Sequence, residues 1–105
     1  MNLEALTTQA GRAETLLKAI ANRYRLMVLC ELHQGELSVS ALQQRIGLSQ
    51  SALSQHLAKL RTEGIVTTRR DAQTIYYSLS SAESGRIIAT LHDIYCSDSC
   101  PPERT

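Results

Sequence analysis

The sequence predicts a mainly α domain with a small β-hairpin, in the order α-α-α-α-β-β-α. Three observations carry that expectation. Apolar residues recur at intervals of three and four through the first half of the chain, as amphipathic helices require. Serine or asparagine precedes most of these runs and glycine follows them, which matches the chemistry of helix ends. After Gly64 the pattern changes to two short runs rich in β-branched and aromatic residues. At 105 residues the chain is the size of one domain, expected over residues 1–97 with a flexible C-terminal tail at 98–105.

Leu3, Leu6, Ala10, Ala13, Leu16, Leu17 and Ile20 mark the apolar face of a first helix, with Gly11 weakening its middle. Asn22 is the expected N-cap of the second, whose apolar row is Leu26, Leu29, Cys30 and His33 and which Gly35 ends. Ser38 caps a short third helix, Val39 to Ile46, closed by Gly47. Ser49 caps a fourth that runs through "QSALSQHLAKLRTE" to Gly64 and buries Leu53, Leu57 and Leu60. Joined by "GLS", these two form a helix-turn-helix pattern. "IVTTRR" and "TIYYSL", separated by the turn-like "DAQ", form a hairpin with basic residues at its tip. The last helix follows Ser80 or Ser81, carries Ile87, Ile88, Leu91, Ile94 and Tyr95, and stops at Pro101 and Pro102.

Several function classes are excluded at this level. No apolar run reaches the roughly 18 to 20 residues that span a bilayer. The stretch "MNLEALTTQAGRAETLL" lacks the basic and then apolar regions of a signal peptide. A cytoplasmic protein with no membrane partner is expected. Three cysteines, an odd number, argue against a disulfide framework. With no CxxC motif and no Cys/His or Ser/His/Asp constellation on a turn, no enzyme is expected.

The formal net charge is only +1, but it is unevenly spread. Residues 49–77 hold four basic and two acidic groups, whereas residues 78–105 hold two and four. A basic middle can meet phosphate while an acidic tail stays clear of it. The fourth helix also presents Gln50, Ser51, Ser54 and Gln55, with His56 and Lys59 at the margin of that face. Short polar side chains on a helix suit base edges in the major groove, and Arg69, Arg70 and Gln73 on the hairpin suit phosphate or the neighbouring minor groove. Any one feature alone describes a solvated surface; together they point to a winged helix-turn-helix that binds double-stranded DNA.

Over nearly its whole length the chain resembles the ArsR/SmtB family of winged-helix repressors. The resemblance rests on "LLKAIANRYRLMVLCEL", on "ELSVSALQQRIGLSQSALSQHLAKLRTEGIVTTRRDAQTIYYSL" and on a terminal helix ending in Cys96. It implies a homodimer built through the first and last helices, reading a roughly palindromic operator. One metal site of the family is missing, because Ser38 and Ser40 stand where its thiolates would be, and of another only His92 and Asp93 are present. No cofactor or resident metal is expected. Cys30 and Cys96 instead resemble the thiol-sensing branch, which implies that reactive sulfur or an oxidant links them and lowers operator affinity, in a repressor or anti-repressor. Without the resemblance, a lone cysteine at an apolar helical position reads as a small hydrophobe. Cys100 departs from that branch; with His92 and Cys96 it forms a four-residue spacing suited to an alternative, metal-responsive site.

Overall fold

The computed structural model describes residues 2–96, so Cys100, the proline pair and the expected tail lie outside the described residues. Five helices and three strands follow in the order α1 (Leu3–Ile20), α2 (Arg23–His33), β1 (Leu37–Ser38), α3 (Val39–Ile46), α4 (Gln50–Thr62), β2 (Val66–Asp71), β3 (Thr74–Leu79) and α5 (Ala82–Cys96). The helix starts are those the sequence implies. Asn22 accepts from the backbone N–H of Tyr24 and Arg25, Ser38 from Ala41 and Ser49 from Ala52. Ser81 rather than Ser80 caps α5, accepting from Ser84 N–H at 3.0 Å. Each such cap is worth about 1 kcal/mol.

Helix α4 stops in a Schellman turn. Ile65 N–H donates to Leu60 C=O at 2.9 Å and Gly64 N–H to Arg61 C=O at 3.0 Å, with Gly64 at φ 74°. Both Leu60 and Ile65 are buried, so the turn that ends the helix also threads the chain through the core into β2. The Ser80 hydroxyl donates to the Gly64 carbonyl and pins the far end of the hairpin beside its start.

The core is one cluster: Val28, Leu29 and Leu32 of α2, Leu42 of α3, Leu53, Leu57 and Leu60 of α4, Ile65 and Val66, Ile88 of α5, and Ala19 and Ile20 of α1. Burying one such leucine contributes about 1.5 to 3 kcal/mol. The row on α2 differs from the expected one, because His33 is exposed and Val28 and Leu32 take the interior. Helix α2 packs on α3, α4, α5 and β3 together, which turns its 28/29/32 stripe inward. The imidazole in its last turn stays in solvent, where a cationic form suits the helix dipole.

The sheet has the order β1-β3-β2, all antiparallel. The two-residue β1 pairs Leu37 with Tyr77 and Ser38 with Tyr76, a strand too short to show any period in sequence. Asp71 pairs with Thr74, so the tip is Ala72 and Gln73 alone, not "DAQ", and Ala72 takes a left-handed φ of 58°. Helix α1 projects from this body. Its residues up to Thr15 are exposed, and Leu3 and Leu6 keep 77% and 52% of their surface in solvent. No helix among the described residues is long and apolar enough to cross a membrane.

Candidate nucleic-acid interface and thiol positions

Because Leu53, Leu57 and Leu60 fix one side of α4 in the core, its other side is set by helical arithmetic. Gln50, Ser54, Ala58 and Arg61 form a stripe that lines an open groove of about 750 Å³, floored by Leu57 and closed on its far side by Gln73, Thr74, Ile75 and Tyr77 of the hairpin. Ser38 and Ser40, at the start of α3, complete one end. Among the described residues this lining carries no carboxylate, and Arg61 is its one cation. Ser51, Gln55 and Lys59, one residue further round α4, form an exposed crest beside the groove. Arg61 was not among the residues singled out from sequence, although it follows Gln50 and Ser54 at the i+11 and i+7 positions.

Strand register separates the two wing arginines. Arg70 pairs with Ile75 and Thr68 with Tyr77, so Arg70 lies on the sheet face that carries the groove-lining Ile75 and Tyr77. Arg69 pairs with Tyr76 and lies on the opposite face. There its Nε and Nη2 donate to Glu36 Oε2 and Oε1, both at 2.8 Å, and its guanidinium carbon sits 4.5 Å from the Tyr76 ring centroid. The Arg69 pKa is held above its ordinary value chiefly by the hydrogen bond to Glu36, with burial opposing.

Two marginal residues of α4 have partners. His56 is half-buried, its ring 6.0 Å from that of Tyr24 and its Nδ1 3.4 Å from Arg25 Nη1. A guanidinium only donates, so Nδ1 accepts and this contact holds the neutral Nε2–H form. Lys59 Nζ lies 3.6 Å from Glu63, an exposed pair worth a few tenths of a kcal/mol and readily exchanged for a phosphate. The Ser51 hydroxyl lies 3.5 Å from that of the capping Ser49.

Cys30 is half-buried on α2 and packs against the core. Helix α5 packs along α2, and their imidazoles meet, His33 and His92 having ring centroids 6.2 Å apart. The backbone of α5 extends to Cys96. No set of three or more His, Cys, Asp or Glu gathers into a metal cluster among the described residues; of the alternative set, only the His92 side chain falls within them.

A capped helix pair with a carboxylate-free outer groove, flanked by a hairpin that carries an arginine on the same side, defines a winged helix-turn-helix DNA-binding protein. The chain belongs to the ArsR family: the model described as "Bacterial regulatory protein, arsR family" matches residues 22–68. The transcriptional activator HlyU of Vibrio cholerae serotype O1 is 53% identical over 91% of this chain and 89% of its own. The biofilm growth-associated repressor of Xylella fastidiosa is 41% identical over 91% of this chain and 84% of its own. Reduced HlyU from Vibrio cholerae N16961 superposes with a TM-score of 0.87 at 52% identity, covering 90% of this chain and 99% of that one. A homodimeric winged helix-turn-helix DNA-binding domain from Mycobacterium bovis superposes with a TM-score of 0.77 at 27% identity, covering 89% of this chain and 86% of that one. These relatives are transcriptional regulators, and the chain is one too, not an enzyme.

Proposed function

We propose that this regulator is a homodimer whose operator affinity is switched by covalent linkage of Cys30 and Cys96. The observation that carries the switch is the crossing of α2 and α5 at His33 and His92. Cys30 lies three residues from His33, and Cys96 four from His92, so both cysteine positions fall within about one helical turn of a common crossing point. Cys30 is also half-buried, which leaves it a route to a small oxidant. The similar HlyU has a form described as reduced, which supports a redox-active relative.

Pairing of two copies is supported by apolar surface at both ends of the chain. Leu3, Leu6 and Leu17 on α1 and Ile94 and Tyr95 on α5 are each at least half exposed, and contact with a second copy would remove this surface from water. The DNA-facing set is Gln50, Ser54, Arg61 and Gln73 in the groove, Ser51, Gln55 and Lys59 on the crest, and Arg70 on the wing. His56 and Arg69 act at its edge through their protein partners.

Linkage takes two electrons and two protons from the thiols, accepted by a peroxide or disulfide; a persulfide inducer leaves additional sulfur in the bridge. The direct bond requires the Cα atoms within about 7 Å. The experiment is duplex binding by the reduced protein and by Cys30→Ser and Cys96→Ser, each before and after a persulfide donor. Reduced and variant proteins are expected to bind alike, and only the wild type to lose affinity on treatment. A serine variant that still responds in full refutes the switch.

A further inference from the structure

The pair formed by Glu36 and Arg69 belongs neither to the core nor to the groove, yet it crosses the whole sheet. Arg69 leaves β2, passes over Tyr76 on the middle strand and ends in a fork on Glu36, the residue just before β1. Pairing sets Arg69 opposite Tyr76 and Tyr76 opposite Ser38. Glu36, two residues before Ser38, therefore belongs to the same face, turned away from the groove. Ser38 ends β1 and caps α3. A single carboxylate thus connects the wing to the first residue of the helix-turn-helix by a side-chain route parallel to the β ladder.

We propose that Glu36 is a positioning residue for DNA recognition: it fixes the wing against α3 and α4 and, by filling both arms of the Arg69 guanidinium, withholds that cation from phosphate. The proposal rests on the groove being the DNA interface. Its chemistry is competitive. The planar guanidinium fork that takes a carboxylate with two parallel bonds takes a phosphate in the same way, and cannot do both at once. Arg69 and Glu36 keep 53% and 34% of their side-chain surface exposed, so phosphate has access to the fork once the carboxylate is gone. The alternation of strand faces then explains the two adjacent arginines. Arg70 supplies charge on the groove side, and Arg69 supplies alignment, its charge cancelled on the other.

The test uses the full chain and two probes: a duplex enriched by the wild-type protein from a random pool, and a scrambled duplex of equal length and composition. Affinity for both is measured across a salt series for wild type, Glu36→Gln, Arg69→Glu and the swapped double variant Glu36→Arg/Arg69→Glu, with amide hydrogen exchange of residues 66–71 and 74–79. In Glu36→Gln, affinity for the scrambled duplex is expected to rise and its log–log salt slope to steepen by about 0.9 for each freed arginine that finds a phosphate. The enriched-to-scrambled ratio falls several-fold and wing amides exchange faster, while the melting temperature stays near wild type. The swapped pair restores both the ratio and the protection. An unchanged slope and ratio in Glu36→Gln overturns the proposal, as does a swapped pair that recovers neither. If the wild type enriches no duplex, the DNA interface fails and the proposal with it, an outcome distinct from normal enrichment unaffected by Glu36→Gln.

Discussion

Replacing Arg70 by alanine removes a cation from the groove side of the wing without touching the core, since the residue is exposed and its strand neighbours remain paired. If each wing of a dimer places one Arg70 on a phosphate, two contacts are lost together. Each contact contributes about 0.9 to the slope of log affinity against log salt, so the variant's slope is flatter by about 1.8. Between about 50 and about 200 mM salt, a fourfold change, the wild-type advantage therefore shrinks by about twelvefold. Fluorescence anisotropy on labelled duplexes at several salt concentrations reads this directly. Arg69→Ala provides the internal comparison, because its charge is already met by Glu36 and its direct contribution to the slope is small. An Arg70→Ala slope equal to wild type, or equal flattening by both variants, would refute the assignment of the two arginines to opposite faces.

Gln55→Ala should reduce operator affinity by about 1 to 3 kcal/mol while leaving random-duplex affinity almost unchanged, because an amide on the crest of α4 reads base edges rather than phosphate; competition binding separates the two. Ala72→Gly relieves a left-handed backbone position that costs an L-residue about 1 kcal/mol, so the urea midpoint should rise even though glycine loosens the unfolded chain. Leu6→Glu places a charge on the exposed apolar face of α1 and should shift sedimentation toward a single copy at micromolar concentration; an unshifted profile would move the pairing surface elsewhere.

Helix boundaries were legible because each rests on local chemistry: a side-chain oxygen at the N-cap, a glycine that tolerates positive φ at the end, and leucines at spacings of four and three. The sidedness of the wing was not. It depends on pairing register, and a slip of one residue exchanges the faces on which Arg69 and Arg70 stand. The same holds for β1, which exists only because β3 offers Tyr76 and Tyr77 as partners. His33 was placed inside by extending a helical row one turn too far, whereas the competing claims of four neighbouring elements decided the buried stripe of α2. Glu36 carries no signal in sequence, since its partner is 33 residues away. Arg61 did carry one and needed only the helical count continued to the end of α4.

Arg25 shows how closely the two ends of α2 are joined to different tasks. Its Nε donates to the last turn of α1 at Ala19 C=O, 2.6 Å away, while its terminal nitrogen reaches His56 on the helix that faces DNA. Cys30 stands five residues further along the same helix, about 7.5 Å in rise. A helix of 11 residues has too few turns to bend, so it pivots as a lever. Any tilt that draws one end toward α5 swings the other against the imidazole of His56, and a displacement of an ångström at a sulfur arrives, undamped by any loop, at the back of the DNA-reading helix.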